Sequence, residues 1–413
     1  MDLLRLATAG SVDDGKSTLI GRLLYDAKAI LADQLEHVEE VSRRRGSDVP
    51  DLALLTDGLR AEREQGITID VAYRYFATPV RKFILADTPG HVQYTRNMVT
   101  GASTADLAIV LVDARHGVVE QTRRHAFLAA LLGIRHLVLA VNKMDLVGWE
   151  QASFDAIVLD FAAVTAQLGL DDVAAIPMSA LLGDNVVDRS GNLPWYDGPA
   201  LLEHLERVEV TADAELDGAR FPVQYVVRDP ATDYRGYAGQ VAGGVLRAGD
   251  AVTVLPGGRT TTVAGIDVFE GEIVAASAGQ SVTVRLGDDV DVARGDLLVA
   301  GSLPASTRDL QAEVCWMAEA PLRAGGRYAL KHTTSTVRAI VDGVSDRLDV
   351  ATLEAIPGPA ELALNDIGRV ALRVSRELAV DPYAVNRATG AFILVDEASN
   401  ETVGAGMVLA PAA

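Results

Sequence analysis

Eight residues near the amino end constrain this chain more than any other feature. GSVDDGKS, at positions 10–17, follows the apolar run LLRLATA (3–9) and precedes a stretch with helical spacing at 17–24. A Gly-x4-Gly-Lys-Ser run between a strand and a helix wraps its backbone N–H groups around a phosphate. Gly10 and Gly15 let the backbone curl, with Ser11, Val12, Asp13 and Asp14 forming the wall between them. The helix predicted at 17–24, which Ser17 and Thr18 begin, adds the positive end of its dipole. Lys16 is placed to reach β- and γ-phosphates, and Ser17 to offer its hydroxyl to Mg²⁺. The bland alternative is a chance Gly-rich turn; strand, loop and helix in order weigh against it. Such a loop needs a strand before it and a helix after it, which commits this region to an α/β fold.

The surrounding pattern agrees. KFILAD (82–87), LAIVLVD (107–113), HLVLAVN (136–142) and VAAIPMS (173–179) read as further buried strands, and 91–104, 119–132 and 150–168 as helices. Apolar strands alternating with helices predict a largely parallel sheet with helices on both faces. Ligands of such sheets bind beyond the carboxyl ends of the strands. Short motifs stand there. DTPG (87–90) ends one strand: Asp87 can hold Mg²⁺ through a water, Thr88 and Pro89 shape the turn, and the Gly90 N–H can sense a γ-phosphate. NKMD (142–145) ends another. Asp145 can accept from the ring N–H and the exocyclic amine of guanine, a donor pair that adenine lacks. Asn142 would brace the loops, the Lys143 stem would cover the ring, and Met144 lies between Lys143 and Asp145; a capped helix start is the competing reading. Ser179, Ala180 and Leu181 follow the next strand and supply a backbone N–H for the guanine oxygen.

Residues 26–66 are polar and show no clear strand, and long polar segments within compact domains are usually functional. GITID (66–70) follows. Thr68 is a candidate switch threonine for Mg²⁺ and γ-phosphate, ordered with GTP and released after hydrolysis; a β-branched strand start is its alternative. His91, directly after DTPG, is placed to orient the attacking water. RRH (123–125) reads as a solvated helix face.

From residue 221 the pattern changes to period-two strands with recurring turns, RAGD (247–250), PGGR (256–259) and ARGD (293–296); VTVLPGGRTTTV reads as a hairpin. The expected organisation is a P-loop GTPase domain at 1–208, a linker at 209–220, and two small β-barrels at 221–305 and 306–413. The 413 residues are too many for one core. The net charge of −20, from 37 basic and 57 acidic residues, argues against a broad nucleic-acid interface. Cys315 is the single cysteine, so no disulfide forms within the chain, and no apolar run approaches a membrane span. Both suit a cytoplasmic protein with no membrane partner.

The order P-loop, GITI, DTPGH, NKMD and SAL, followed by two β domains, resembles the elongation factor Tu superfamily. Within it the chain is most similar to the GTPase (large) subunits of bacterial ATP sulfurylases. GSVDDGKSTLIGRLLYD (10–26), DLALLTDGLRAEREQGITIDVAYRYF (51–76), RKFILADTPGHVQYTRNMVTGASTADLAIVLVDAR (81–115), QTRRH (121–125), LLGIRHLVLAVNKMDL (131–146) and NRATGAFILVDEASNETVGAGMV (386–408) carry the likeness. Elongation factor Tu itself has histidines where this chain has Ser11 and Asp14, and a shorter switch region than the one between Lys16 and Thr68. The resemblance implies GTP as substrate and Mg²⁺ as cofactor. It also implies a separate small catalytic subunit that makes adenylylsulfate and pyrophosphate from ATP and sulfate, in a heterodimer or higher assembly. Some relatives carry a fused adenylylsulfate kinase. With no second Gly-x4-Gly-Lys-Ser/Thr run before Ala413, that activity is expected to be absent here. A translation factor carrying aminoacyl-tRNA is the alternative function.

Overall fold

The computed structural model describes residues 2–28, 36, 38, 40, 42, 43, 52–55, 71–89, 95–210, 216–349, 352 and 354–409. The chain divides into two compact units, one covering residues 1–210, the other 211–349 and 354–413.

The first unit is the expected α/β domain. Its strands are β1 (Asp2–Ala9), β2 (Ala72–Ala77), β3 (Arg81–Asp87), β4 (Leu107–Asp113), β5 (His136–Asn142) and β6 (Asp172–Pro177). They form one sheet in the order β2-β3-β1-β4-β5-β6. All neighbours run parallel except β2, which is antiparallel to β3. Five strands therefore stand where the apolar runs place them. β4 is buried at every position, as a strand covered on both faces must be. β2 lacks that signature: Tyr73 and Tyr75 face solvent while Phe76 stacks on Phe83 at 4.6 Å, so only part of this edge strand is apolar-packed.

The helices are α1 (Lys16–Asp26), α2 (Thr95–Ala102), α3 (Glu120–Leu131), α4 (Gln151–Gln167) and α5 (Leu201–Arg207). α1 buries Leu19, Ile20, Leu23 and Leu24, one apolar stripe at helical spacing, into a core shared with Leu4, Leu6, Ile109, Val138, Leu201 and Leu205. Register aligns the carboxyl ends of the strands, with Thr8 opposite Asp87 and Asp113 opposite Asn142. The loops after β1, β3, β5 and β6 consequently open on one edge of the sheet.

The second unit holds two β-barrels. The first contains β7 (Gly218–Asp229), β8 (Tyr234–Gln240), β9 (Val245–Arg247), β10 (Ala251–Leu255), β11 (Arg259–Val268), β12 (Gly271–Ile273), β13 (Ala275–Ser277), β14 (Ser281–Leu286) and β15 (Leu297–Gly301). Its main sheet runs β10-β15-β7-β8-β14-β11-β12, and the pairing of β10 with β11 closes it into a barrel, with β12 paired to β11 alone. That pairing is the expected hairpin, with Val254 opposite Arg259. The second barrel contains β16 (Ala305–Trp316), β17 (Leu322–Arg323), β18 (Arg327–His332), β19 (Ser335–Asp349), β20 (Glu354–Pro357), β21 (Glu361–Leu362), β22 (Ile367–Val380), β23 (Ala391–Val395) and β24 (Thr402–Val408). It closes the same way through β18 and β19.

The stretch 209–220, read as linker, already contains the start of β7: Gly218, Ala219 and Arg220 pair with Gly301, Ala300 and Val299. The sequence DGAR hid this, because Arg220 is polar yet 2% exposed. Its Nε and Nη2 donate to the two carboxylate oxygens of Asp381, at 2.9 and 3.1 Å, and Thr389 Oγ1 donates to the same carboxylate at 2.6 Å. The pair bridges the two barrels. Beside it Leu255, Leu297, Val299 and Ala379 form a small apolar cluster across the same seam.

Candidate functional site

The phosphate loop lies between β1 and α1 as the motif requires. Two residues in it have left-handed backbone, Asp13 at φ 67° and Gly15 at φ 95°. Gly15 has a second constraint, since a Cβ there would run into the Asn142 side-chain amide. The loop is braced from within: the Ser11 N–H donates to Asp14 Oδ2 at 2.6 Å. Lys16 curls back over it, its Nζ donating to the carbonyls of Gly10 at 2.8 Å and Ser11 at 3.2 Å. Burial pushes the Lys16 ammonium down from the ordinary lysine range, while the carboxylates of Asp87, Asp14 and Asp13 push it back up. Burial likewise raises the Asp14 carboxyl. A buried cation already surrounded by acceptors is placed for an anionic ligand. Ser17 and Thr18 occupy the first turn of α1, both half-buried.

Asn142, at the end of β5, joins two loops. Its Nδ2 donates to the Asp14 carbonyl at 2.8 Å, and its Oδ1 accepts from the Ala180 N–H at 2.9 Å. Both bonds are buried, so each rigidifies the edge rather than trading places with water. Lys143 follows with left-handed backbone at φ 64°. Its Nζ donates to the Asp13 carbonyl and lies 2.9 Å from Asp113 Oδ2. The stem is thereby drawn across the space between the NKMD turn and the phosphate loop. Met144 is fully buried, and its N–H donates to the Met178 carbonyl at 3.1 Å. Asp145 sits in the short 3-10 turn Met144–Val147, half-buried, and among the described residues no protein group hydrogen-bonds its carboxylate.

The loop after β6 spends its N–H groups almost completely. Ser179 donates to the Asp184 carbonyl at 3.2 Å, Ala180 to Asn142, Leu182 to Ser179 Oγ at 3.3 Å, and Gly183 to the Ser179 carbonyl at 2.8 Å. Among the described residues the Leu181 N–H has no protein acceptor.

Asp87 ends β3 with 2% exposure. Thr88 Oγ1 donates to the Thr8 carbonyl at 2.5 Å, which ties the DTPG turn to the strand that carries the phosphate loop. Pro89 follows in the described chain; Thr68, Gly90 and His91 lie outside the described residues. The structure therefore brings together residues 10–18, 87–89, 142–145 and 179–181 on one edge.

Residues 1–212 match the family described as the elongation factor Tu GTP binding domain, and residues 309–409 match the GTP-eEF1A C-terminal domain-like family. Sulfate adenylyltransferase subunit 1 of Bacteroides fragilis is 53% identical over 411 residues, spanning 99% of this chain and 86% of that protein. The chain belongs to the sulfate adenylyltransferase subunit 1 family. The bifunctional enzyme CysN/CysC of Mycobacterium tuberculosis is 61% identical over 413 residues, which are 98% of this chain and 67% of that protein. The solved structure of sup35 complexed with GDP aligns over all of this chain and 95% of its own, at 25% identity and a TM-score of 0.46.

Three features of this chain escaped the sequence reading. Asp113, at the end of β4, holds Lys143. Burial would raise its carboxyl, but hydrogen bonds from Arg115 and Lys143 win and hold it well below the ordinary carboxylate range. Arg22 of α1 reaches the loop after β6, donating from Nη2 to the Leu181 carbonyl at 2.7 Å and from Nε to the Ala180 carbonyl at 3.4 Å. His125, read as part of a solvated face, is 1% exposed. Its Nε2 lies 3.0 Å from the Gln121 amide nitrogen and its Nδ1 finds no protein partner among the described residues. Burial, reinforced by the Lys16 and Arg124 cations, pushes its pKa down to about 3. The arginines before it stay half-buried, so the face is mixed. Polarity hid this inward position, because Ala126, Leu128 and Ala129 already suffice for an apolar stripe.

Among the described residues no helix is long and apolar enough to cross a membrane.

Proposed function

We propose that this chain is the GTP-hydrolysing subunit of a cytoplasmic sulfate adenylyltransferase. Its hydrolysis is coupled to adenylylsulfate and pyrophosphate formation from ATP and sulfate on a separate small subunit. The likeness to sulfate adenylyltransferase subunit 1 over 99% of the chain carries the assignment. The site geometry supports the nucleotide. Asn142 welds the phosphate loop to the base-side loop, and among the described residues an acceptor, the Asp145 carboxylate, and a donor, the Leu181 N–H, have no protein hydrogen bond. Guanine presents two N–H donors and one carbonyl along the edge that those groups would face. Adenine would set its own acceptor against the carboxylate.

In this reading Lys16 exchanges the Gly10 and Ser11 carbonyls for phosphate oxygens. The Ser17 hydroxyl and the Asp87 carboxylate, the latter through water, form an oxygen-only donor set of the kind that suits Mg²⁺. Among the described residues no cluster of three His, Cys, Asp or Glu side chains could hold a metal alone. That fits an ion that takes its remaining ligands from phosphate and water. The ion would supply charge neutralisation between the β- and γ-phosphates. Thr68 would complete its ligands, the Gly90 N–H would sense the γ-phosphate, and His91 would orient the attacking water. No adenylylsulfate kinase activity is assigned to residues 1–413, which carry one Gly-x4-Gly-Lys-Ser run.

Coupling requires that GTP- and GDP-bound forms bind the partner with different free energies. The test is the GTPase rate with and without the small subunit, ATP and sulfate. The free chain should be slow and the complete mixture faster. A fast basal rate that ignores all three additions would refute the coupling.

A further inference from the structure

Arg22 has no part in the motifs above. It lies on the second turn of α1, the helix that starts at the phosphate loop, and points across to the loop after β6. Its side chain is 15% exposed. The guanidinium makes two contacts from separate nitrogens of one planar fork, a geometry that an ammonium lacks. Nη2 donates to the Leu181 carbonyl at 2.7 Å, and Nε lies 3.4 Å from the Ala180 carbonyl. The stem passes 3.7 Å from the point where a Cβ on Gly183 would sit, so the far side of the loop also rests on it. Asp26, one turn on, lies 3.7 Å from Nη1, and the Tyr25 ring centroid is 5.8 Å from the guanidinium carbon.

The two carbonyls flank one residue. The Ala180 carbonyl belongs to the same peptide as the Leu181 N–H, and the Leu181 carbonyl to the next peptide. Arg22 therefore pins the orientation of the one N–H in residues 179–183 that has no protein acceptor among the described residues. A cationic donor on a carbonyl also polarises the N–H of that peptide.

We infer that Arg22 is a positioning residue for guanine selection: it clamps the Leu181 peptide so that its N–H meets the 6-oxo group of the base. This rests on the guanine site proposed above and deepens it. The Asp145 carboxylate reads the N1–H and 2-amino side, and the Arg22-held Leu181 amide reads the oxygen.

The probe is 6-thio-GTP, which keeps both N–H donors and replaces the oxygen by a weaker acceptor. Wild type should prefer GTP to 6-thio-GTP by about tenfold, the worth of one well-placed hydrogen bond. In Arg22→Ala that preference should fall to within about twofold of unity, mainly through loss of GTP affinity. Arg22→Lys, which keeps the charge but loses the planar fork that fixes both carbonyls, should fall between. Asp26→Asn, which removes the ion pair and touches neither carbonyl, should keep the wild-type ratio. Equal weakening of both nucleotides in Arg22→Ala, with the ratio intact, would show a merely structural role and overturn the inference. So would a wild type that does not distinguish the two. If Arg22→Ala does not fold, the Lys variant decides by the same ratio. The underlying site is judged separately by the preference of wild type for GTP over ATP. If that preference holds while the Arg22 ratios do not move, only the clamp is wrong.

Discussion

Asp145→Asn is the most discriminating single change. The wild-type carboxylate accepts only, stands half-buried on the 3-10 turn, and has no protein hydrogen bond among the described residues to compete with a base. In the proposed site it would take two charge-assisted bonds from guanine. The isosteric Asn can keep one as a neutral bond, through its oxygen, and must set its NH₂ against the 2-amino group. One bond is lost, one is weakened, and two donors face each other. Partial exposure moderates the loss, so about 3 kcal/mol is expected, roughly a 150-fold weaker GTP affinity. Xanthine carries a carbonyl where guanine has the amine, and the Asn NH₂ can donate to it. XTP affinity should therefore rise by about two orders of magnitude. Competition binding with GTP and XTP measures both, and circular dichroism should match wild type. With the small subunit present, sulfate activation should run on XTP and fail on GTP. A variant that still prefers GTP, while wild type binds GTP well, would show that Asp145 does not read the base.

Other outcomes follow from the same edge. Lys16→Ala should weaken nucleotide binding itself, while Ser17→Ala should blunt its response to Mg²⁺; equal responses of Ser17→Ala and wild type to chelation would refute the metal role. His91→Ala should lower GTP turnover by about two orders of magnitude, with affinity nearly unchanged, as for a group that acts in the transition state; single-turnover assays separate the two. His125 is neutral in the fold, with a pKa of about 3 against an ordinary 6.5, so the unfolded chain binds its proton first. Its contribution is therefore intact above pH 6.5 and lost progressively as pH falls from 6.5 towards 3, at about 1.4 kcal/mol per pH unit. Urea titrations of His125→Gln should show a flatter pH dependence over that window, and an unchanged slope would refute the burial argument.

The sheet was legible because strands covered on both faces leave continuous apolar runs, and the loops because phosphate and base contacts demand particular residues at fixed spacing. β2 was not, since an edge strand with Tyr73 and Tyr75 outward carries half of that signal. The start of β7 was missed for another reason: Arg220 is buried by its partner Asp381, 161 positions away, and no local pattern announces such a pair. Arg22 and Asp113 share this character, each being polar and acting partly through a group distant in sequence, Leu181 and Lys143. His125 was hidden because its polarity read as surface although it is buried beside Gln121. Contacts that act through backbone carbonyls, such as those of Arg22, leave no compositional trace on the receiving loop.

The bidentate pair between Arg220 and Asp381 has a calorimetric consequence. Removing either partner strands the other's charge in an apolar seam, at a cost of about 3–5 kcal/mol. Neither barrel can therefore lose its structure without burdening its neighbour by a large fraction of a typical domain's stability. A chain with three folded modules should then show two heat-absorption peaks, one for the nucleotide domain and one for the barrels together. Arg220→Ala should split the second peak in two, turning one cooperative melting unit into a pair of independent ones.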